Sequence, residues 1–397
     1  MDLSSSIIIV GGGIGGVTAA LALAKLGHEV QVFEQAAKLG EAGAGIQLGP
    51  NCTRVLHHLG LEAALKAVAF VPEGGEMRHW KSGKLLSASP LAETALQRYG
   101  FPYFHVHRAD LMELLVQAAT TDPRIEINNN SPVESVNHNT HGVSVRVHGQ
   151  DHHGAVLIGA DGIHSVTRNI LFGPEPATFT GNVAWRMLVP AGRLPEGLIR
   201  PMATAWWGPK KHFVHYYVRT GELVNCVCVV EKAGWEVESW SEPGDHTSLA
   251  RDFVGWHSDV QSLIANADPE SCYKWALFDR PPMPRWSDGR ATLLGDACHP
   301  TLPFMAQGAA MAIEDGAVLA HCIGEVGNTQ IAPALRRYEN LRRDRTAAIQ
   351  AGSRRNARIF HLSGIAAWLR NVVADPMAKR TMEKVFGYDA LSVSESS

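Results

Sequence analysis

The chain has 397 residues, of which 45% are apolar and 19% are charged, and its formal net charge is −3. This length exceeds the usual size of one domain, so we expect two domains, and the composition is typical of a globular enzyme. The small net charge, the lack of a basic leader and the lack of an apolar run of ~20 residues argue against nucleic-acid and membrane partners. We therefore expect a cytoplasmic protein.

The six cysteines and 19 histidines do not follow a metal-binding pattern. The sequence has no C-x-x-C pair, and Cys226 and Cys228 alternate along a predicted strand without the usual spacing of zinc ligands. We therefore expect buried free thiols and no metal site.

The first informative stretch is an apolar strand, residues 7–10, that runs into a glycine cluster and then into a helix of small residues. The cluster has the spacing G-x-G-x-x-G and comprises Gly11, Gly13, Ile14, Gly15 and Gly16. In such a loop the first glycine makes a tight turn, the second lets the backbone approach a pyrophosphate, and the third lets the helix pack on the strand. A second strand, residues 29–33, ends at Glu34, whose carboxylate can accept the ribose hydroxyls of an adenosine. This order of elements predicts a dinucleotide site.

Two later segments also predict ligand contacts. Residues 36–51 contain closely spaced glycines, which disfavour a helix and suggest backbone lying against a ligand. We expect Asn51 to cap a helix over residues 52–59. Arg108 precedes a helix that is expected to begin at Asp110, where the helix dipole disfavours a cation unless an anion lies nearby. We therefore interpret Arg108 as a phosphate or flavin contact.

The middle of the chain changes character. A fully apolar strand, residues 155–159, is followed by Asp161 among small residues, as expected for a strand buried in a parallel sheet. Short β-rich runs between residues 181 and 230 then predict an antiparallel sheet inserted between halves of the parallel domain. On one of its strands, alternation places on one face the side chains of His212, Val214 and Tyr216.

The last third of the chain repeats the strand-and-acid pattern. An apolar strand ends at Gly295 and Asp296, and a loop over residues 301–308 follows. A helix over residues 309–323 then directs its positive N-terminus at whatever the loop holds. Residues 332–358 predict a helix whose many arginines lie on a solvated face.

Three motifs taken together resemble the single-component FAD-dependent aromatic hydroxylases, the family of para-hydroxybenzoate hydroxylase and salicylate hydroxylase. They are the glycine loop with Glu34, residues 158–162 with Asp161, and residues 294–300 with Asp296. The resemblance extends over nearly the whole chain. The branch that acts on salicylate, 3-hydroxybenzoate and 6-hydroxynicotinate is indicated by residues 42–47, 107–111 and 303–315.

The resemblance implies an α/β fold with a Rossmann-like FAD-binding domain, an inserted antiparallel β-sheet substrate domain and C-terminal helices. The FAD-binding domain would comprise residues 1–72, 101–180 and 271–330, the substrate domain residues 73–100 and 181–270, and the C-terminal helical region residues 331–397. Besides the glycine loop, the residues implied in FAD binding are Glu34, Gln47, Arg108, Asp161, Asp296, Pro303, Gln307, Gly308 and Ala309.

The implied reaction is hydroxylation of a small phenolic aromatic acid by O₂, in which NADH or NADPH reduces FAD and the reduced flavin forms a C4a-hydroperoxide. His212 matches a histidine near the phenolic oxygen, and an imidazole there is suited to take the phenol proton. Tyr216 matches an aromatic residue of the ring pocket. The implied substrate pocket comprises Gln47, His212, Val214, Tyr216, Pro303 and Phe304. We expect a monomer or a homodimer.

Several alternatives stay open. Salicylate or 3-hydroxybenzoate is the expected type of substrate, and 6-hydroxynicotinate is the alternative. Enzymes of the latter type tend to carry histidine at the positions of Gln47 and Phe304, and 3-hydroxybenzoate enzymes tend to carry glutamine at that of Pro303. A flavin oxidase or dehydrogenase would share the glycine loop but would not need the motifs around Asp161 and Asp296. An FAD-binding redox sensor or carrier is the non-enzymatic alternative.

Overall fold

The computed structural model describes residues 6–40, 43–232, 234, 243–324, 326 and 330–393, except for the side chains of residues 371–381. Within them the strands are β1 (Ser6–Val10), β2 (Glu29–Phe33), β3 (Gly45–Leu48), β4 (Gly74–His79), β5 (Leu85–Pro90), β6 (Phe104–His107), β7 (Ile125–Asn128), β8 (Val133–His138), β9 (Val143–Val147), β10 (Gln150–Gly154), β11 (Val156–Gly159), β12 (Thr178–Pro190), β13 (Met202–Gly208), β14 (Lys211–Val218), β15 (Leu223–Glu231), β16 (Tyr273–Asp279), β17 (Ser287–Asp288) and β18 (Ala291–Leu293). The helices are α1 (Ile14–Lys25), α2 (Pro50–His58), α3 (Glu62–Val68), α4 (Ala92–Tyr99), α5 (Arg108–Thr121), α6 (Val166–Phe172), α7 (His246–Asp252), α8 (Ser258–Ala265), α9 (Gly308–Gly324), α10 (Ile331–Phe360) and α11 (Gly364–Phe386). Among the described residues, no helix has the length and apolar character that crossing a membrane requires. Residues 41 and 42 of the predicted ligand-facing loop lie outside the described residues.

A six-stranded sheet in the order β17-β18-β11-β1-β2-β7 forms the centre of the dinucleotide-type half of the fold. Its neighbouring strands are parallel except for β17 and β18. Ile7 and Ile9 of β1 pack into a core with α1, α5 and α9, whereas Ile8 and Val10 pack against the three-stranded sheet β10-β9-β8. Because both faces are buried, β1 is a continuous apolar run rather than an alternating one. The predicted α/β core is confirmed.

A seven-stranded sheet in the order β16-β12-β15-β14-β13-β4-β5 forms the other half. One face packs on α7 and α8 around a core that includes Trp185, Phe213 and Phe253. Cys226 and Cys228 lie in the same core as free thiols, as the sequence predicts. The opposite face carries His212 and opens to a cavity. The sheet therefore separates a packed core from a binding space.

This second sheet extends beyond the segments predicted for it. Residues 73–100 supply β4 and β5 as expected, but β12 begins at Thr178 and β16 lies wholly beyond residue 270. The sheet is also not entirely antiparallel, because β13 and β4 run parallel. Short β-rich runs reveal strands but not the distant strand at the sheet edge, so the boundaries drawn from the sequence are too narrow.

The long helix α10 is held by buried charge. The prediction of a solvated face for its arginines is wrong for Arg342 and Arg345, whereas Arg336, Arg355 and Arg358 are exposed. The side chain of Arg342 is 0% exposed and lies 2.7 Å from both Glu314 and Asp315 of α9. Arg345 also pairs with Glu314 at 2.7 Å. Two buried acids in one helix need cations from outside it, and α10 supplies them. The number of arginines in α10 does not reveal that some of them pair with buried acids of α9.

Candidate active site

The glycine loop between β1 and α1 opens onto the cavity. Gly11 has a φ of +103°, and a Cβ on Gly16 would lie 2.0 Å from the Gly11 carbonyl oxygen. These two glycines therefore serve the turn and the packing of the helix on the strand. By contrast, a Cβ on Gly13 would meet no atom within 4 Å, and no side chain caps α1 at this residue. The first N–H groups of α1 can thus receive an anion.

The cavity has a volume of about 910 Å³ and lies between the glycine loop, residues 300–309 and the open face of the seven-stranded sheet. This volume is near the upper end of the ~300–1,000 Å³ that ligand sites span. Most of the predicted site residues line it, namely Gly13, Ile14, Gly15, Gln47, Arg108, His212, Val214, Tyr216, Asp296, Pro303, Phe304, Gln307, Gly308 and Ala309. The structure thus brings the predicted cofactor and substrate residues into one continuous space.

Glu34 does not line this space. Its carboxylate accepts the backbone N–H groups of Gly12 at 2.7 Å and Ala36 at 2.8 Å. The acid therefore fixes the glycine loop to the end of β2. The contact to a ribose that the sequence predicts for Glu34 stays a prediction.

Asp161 also lies outside the cavity lining, and its carboxylate serves the fold. It accepts hydrogen bonds from the Ser165 hydroxyl at 2.5 Å and the Thr167 N–H at 2.9 Å. Asp161 thereby stabilises the N-terminus of α6. Its backbone neighbours Ala160 and Gly162 do line the cavity. The contact of Asp161 with FAD that the resemblance implies stays a prediction.

Arg108 and Asp296 place opposite charges on the cavity wall. Arg108 is the first residue of α5, so the helix begins two residues earlier than predicted, with His107 as the N-cap. Burial lowers the pKa of the Arg108 guanidinium, and Asp296 opposes this effect. Desolvation raises the pKa of Asp296, which His299 and Arg108 lower. Because an arginine stays protonated in proteins, Arg108 presents a fixed cation for a phosphate or a ring oxygen.

The segment that precedes α9 is held from below by a polar network. Asn51 donates hydrogen bonds to Gln307 at 3.0 Å and to Glu314 at 2.6 Å. The prediction that Asn51 caps α2 is wrong, because Gly49 occupies the N-cap position and Pro50 is the first residue of the helix. Asn51 instead joins α2 to the cavity segment and to the buried charges of α9. The residues next to Asn51 in the sequence do not predict this contact, because its partners lie more than 250 positions away.

His212 lies on the cavity wall with its ring 5.2 Å from that of Phe304 and 5.4 Å from that of Phe360. Burial, together with the neighbouring His361, holds the pKa of His212 well below its usual range. The imidazole is therefore neutral at pH 7 and can accept a proton. Burial raises the pKa of Tyr216, so this phenol stays protonated and can donate a hydrogen bond but cannot act as a base at neutral pH.

Two residues that local sequence patterns do not predict lie behind His212. His361 lies with its Nε2 2.8 Å from His212 Nδ1, and its Nδ1 lies 3.0 Å from a carboxylate oxygen of Glu231. His361 follows α10, and 149 residues separate it from His212. A histidine just after a helix carries no local sign of such a partner.

A third missed residue is Arg186, which lines the cavity from β12. Its guanidinium lies 5.3 Å from the ring centre of Tyr273 and 5.5 Å from that of Trp275. Within the described part of the chain no carboxylate pairs with it, although the residue is only 5% exposed. A lone arginine in the apolar run 183–189 could have revealed it, because a buried cation needs an anion.

These residues fit FAD. The uncapped N-terminus of α1, the open face of Gly13 and the cation of Arg108 suit a pyrophosphate. The first turn of α9, at Gly308 and Ala309, adds further N–H groups at the cavity wall. When bound, FAD would accept electrons from NAD(P)H and would activate the O₂ that hydroxylation requires.

Comparisons with known proteins agree with this assignment. A family model described as FAD binding domain matches residues 4–353. The chain is 41% identical to 3-amino-4-hydroxybenzoate 2-monooxygenase PtnB3 from Streptomyces platensis, over 90% of this chain and 88% of the relative. It is 38% identical to 3-hydroxybenzoate 6-hydroxylase from Polaromonas naphthalenivorans (strain CJ2), over 97% and 94%.

A solved structure agrees as well. A salicylate hydroxylase in complex with its substrate superposes with a TM-score of 0.84 at 25% identity, and the match covers 100% of both chains. The resemblance drawn from the three sequence motifs is confirmed, and the alternatives of a flavin oxidase and of a redox carrier lose their support. The chain belongs to the FAD-dependent aromatic hydroxylases, and it is a flavoprotein monooxygenase.

Proposed function

We propose that this monooxygenase hydroxylates a phenolic aromatic acid of the salicylate or 3-hydroxybenzoate type. The observation that supports this most directly is that His212, whose imidazole is neutral, and Arg186, which pairs with no carboxylate of the described residues, line the same cavity from one face of the sheet. A phenol needs a base and a carboxylate needs a cation, and the cavity wall offers both. The 3-hydroxybenzoate and 3-amino-4-hydroxybenzoate relatives act on rings that carry these two groups.

In this proposal His212 removes the proton from the substrate hydroxyl. Its Nδ1 is engaged with His361, so Nε2 is the nitrogen left for the substrate. A phenolate is a far better nucleophile than a phenol, and general-base catalysis of this kind contributes roughly 10²–10⁴-fold to a rate. Tyr216 donates a hydrogen bond or packs on the ring, and Phe304 helps to exclude water from the reacting atoms.

Arg186 is proposed to bind the substrate carboxylate. Val214 of β14 and Arg186 of β12 are both paired with Val227 of the strand between them. Since neighbouring strands are about 4.8 Å apart, Arg186 lies roughly 10 Å across the sheet from Val214. A hydroxybenzoate can span this interval once the long arginine side chain reaches inward. Burial and the nearby Arg108 lower the pKa of Arg186, so an anion there is favoured.

The 6-hydroxynicotinate alternative has less support in the site. Enzymes of that type tend to carry histidines where this chain has Gln47 and Phe304, and Gln47 here accepts a hydrogen bond from Tyr103 at 2.7 Å. Pro303 likewise departs from the glutamine expected of a 3-hydroxybenzoate enzyme.

The test is a substrate screen with the purified flavoprotein. Salicylate, 3-hydroxybenzoate, 3-amino-4-hydroxybenzoate and 6-hydroxynicotinate are compared with benzoate, which lacks the hydroxyl, and phenol, which lacks the carboxylate. We expect stimulated NADH or NADPH oxidation, and incorporation of one atom from ¹⁸O₂ into the product, only for a ring with both groups. Oxidation that yields H₂O₂ alone with every acid would refute the proposed function.

Further parts of the proposal concern the whole protein. We propose a cytoplasmic monomer or homodimer that divides into FAD-binding, substrate and C-terminal parts, with the whole of β12 and β16 in the substrate part. The FAD contacts of Glu34, Gln47, Arg108 and Asp296 belong to the proposal too. Light scattering of the purified protein measures the oligomeric state, and a trimer or larger assembly would contradict this part.

A further inference from the structure

A chain of three titratable side chains runs from the cavity to the surface. His212 Nδ1 lies 2.8 Å from His361 Nε2, and His361 Nδ1 lies 3.0 Å from Glu231 Oε1. The His361 side chain is 3% exposed, whereas that of Glu231 is 43% exposed. The three residues come from β14, the end of α10 and the end of β15. The chain therefore links a buried ring on the cavity wall to water.

The carboxylate fixes the tautomers of both rings. An ionised Glu231 only accepts hydrogen bonds, so His361 carries its proton on Nδ1 and leaves a lone pair on Nε2. His212 must then donate from Nδ1 to that lone pair, which leaves His212 Nε2 unprotonated. This is the ring nitrogen that remains available to a ligand in the cavity that His212 lines. Through the His361 ring, the exposed carboxylate of Glu231 thus keeps Nε2 of His212 ready to accept a proton.

His212 needs such an outlet because apolar rings enclose it. Phe304 and Phe360 pack against its ring, and burial holds its pKa low, so a proton taken from a substrate is not retained there. Burial also lowers the pKa of His361, while Glu231 raises it and Arg370 lowers it. Among the described side chains, Arg370, Glu231 and His212 interact electrostatically with His361, and the Lys210 N–H donates to its carbonyl oxygen.

We propose that His361 and Glu231 form a proton relay that carries the substrate's phenolic proton from His212 to solvent, which rests on the proposed function. His212 Nε2 gains the phenolic proton, and the O–H bond breaks to leave phenolate. The Nδ1 proton of His212 moves to His361 Nε2, the Nδ1 proton of His361 moves to Glu231, and Glu231 releases it to water. The net change is one proton transferred from the phenol to solvent, and no electron changes hands.

The relay is tested by Glu231→Gln, which keeps the size of the side chain and removes its charge. Glu231→Asp keeps the carboxylate, and Glu222→Gln makes the same chemical change at an exposed acid just before β15. We expect Glu231→Gln to slow single-turnover hydroxylation about tenfold with an unchanged substrate dissociation constant, a smaller loss than removal of the base itself. The defect should fade as pH rises, because phenolate then forms unaided, and Glu231→Asp should recover most of the rate. Equal rates for Glu231→Gln and Glu222→Gln across pH would overturn the relay.

A second measurement does not depend on turnover. Nitrogen NMR of the protein labelled at histidine, without substrate, reports which ring nitrogen is protonated, and the His361 signals are assigned from His361→Asn. We expect His361 to be protonated on Nδ1 in the wild type and to lose this preference in Glu231→Gln. An Nε2-protonated His361 in the wild type would overturn the relay even if hydroxylation occurs. If the tautomer is as expected but no aromatic acid is hydroxylated, the proposed function fails instead.

Discussion

Replacing Arg342 by methionine should destabilise the fold and the cavity together. Methionine replaces the unbranched stem of arginine but not its guanidinium group, so Glu314 and Asp315 lose a cation that lies 2.7 Å from each. Breaking a fully buried ion pair costs about 3–5 kcal/mol, because the remaining charge stays buried. Here His299 at 2.6 Å and Arg345 at 2.7 Å still serve the two acids, so we expect about 3 kcal/mol, the lower end of that range.

The pH dependence gives this prediction a sign. Burial raises the pKa of Asp315, but His299 and Arg342 lower it to about 2 from an ordinary value of 3.8. A lowered carboxyl pKa stabilises the fold above pH 3.8 and loses that contribution as pH falls towards 2. The gap between wild type and Arg342→Met should therefore be full at pH 7 and shrink below pH 3.8.

The assay is urea unfolding followed by circular dichroism at pH 7. Arg343→Met is the matched control, since Arg343 is the next residue, is 39% exposed, and lies 3.7 Å from Glu339. Because Arg343 is partly exposed, although Glu339 is buried, we expect the loss of this pair to cost about 1 kcal/mol, the upper end for surface pairs. If Arg342→Met and Arg343→Met lose the same free energy of unfolding, the buried pair does not anchor α10 and the reasoning is refuted.

Further variants test the cavity. Gly13→Val should fold but lose bound FAD, because a Cβ there meets no protein atom within 4 Å. Gly16→Ala should instead destabilise the protein, because its Cβ would lie 2.0 Å from a carbonyl oxygen. Flavin absorbance and thermal melting distinguish the two effects, and Gly13→Val with stoichiometric flavin would refute our placement of the cofactor. Arg108→Ala should weaken FAD binding by about 1–3 kcal/mol, the scale of a charge-assisted hydrogen bond, and unchanged FAD affinity with impaired folding would return Arg108 to a structural role. His212→Ala should slow single-turnover hydroxylation, most at low pH, with normal FAD content and more H₂O₂; a normal rate with only a raised substrate dissociation constant would make it a binding residue. Arg186→Met should raise the dissociation constant of the aromatic acid by roughly 10–100-fold but not that of phenol, and loss of FAD instead would make it a cofactor contact.

Local patterns predicted the parts of the fold that local physics determines. The apolar run of β1 and the alternation along β14 depend only on which faces a strand buries, so both were readable from neighbouring residues. The structure places His212, Val214 and Tyr216 on the cavity face and Phe213 in the opposite core, as alternation predicts.

Contacts between distant segments were not predictable in this way. Asn51 looked like a helix cap but bonds to residues more than 250 positions away, and the burial of Arg342 depends on acids of another helix. His361 gives no local sign of its pairing with His212. Each of these side chains is explained by a partner that comes close only after the chain has folded, so periodicity and spacing around it carry no information about that partner.

The alternation of β14 has a consequence for how this enzyme can acquire new substrates. Val214 and Phe213 are adjacent in the chain but are constrained differently. Val214 lines the cavity and contacts the ligand space, whereas Phe213 packs in the core against α7 and α8. Val214 can therefore vary in volume while the scaffold, the flavin loop and the base stay intact. A library confined to this position should redistribute activity among ring-substituted acids with little loss of soluble yield, which makes one strand residue a natural starting point for both evolution and design.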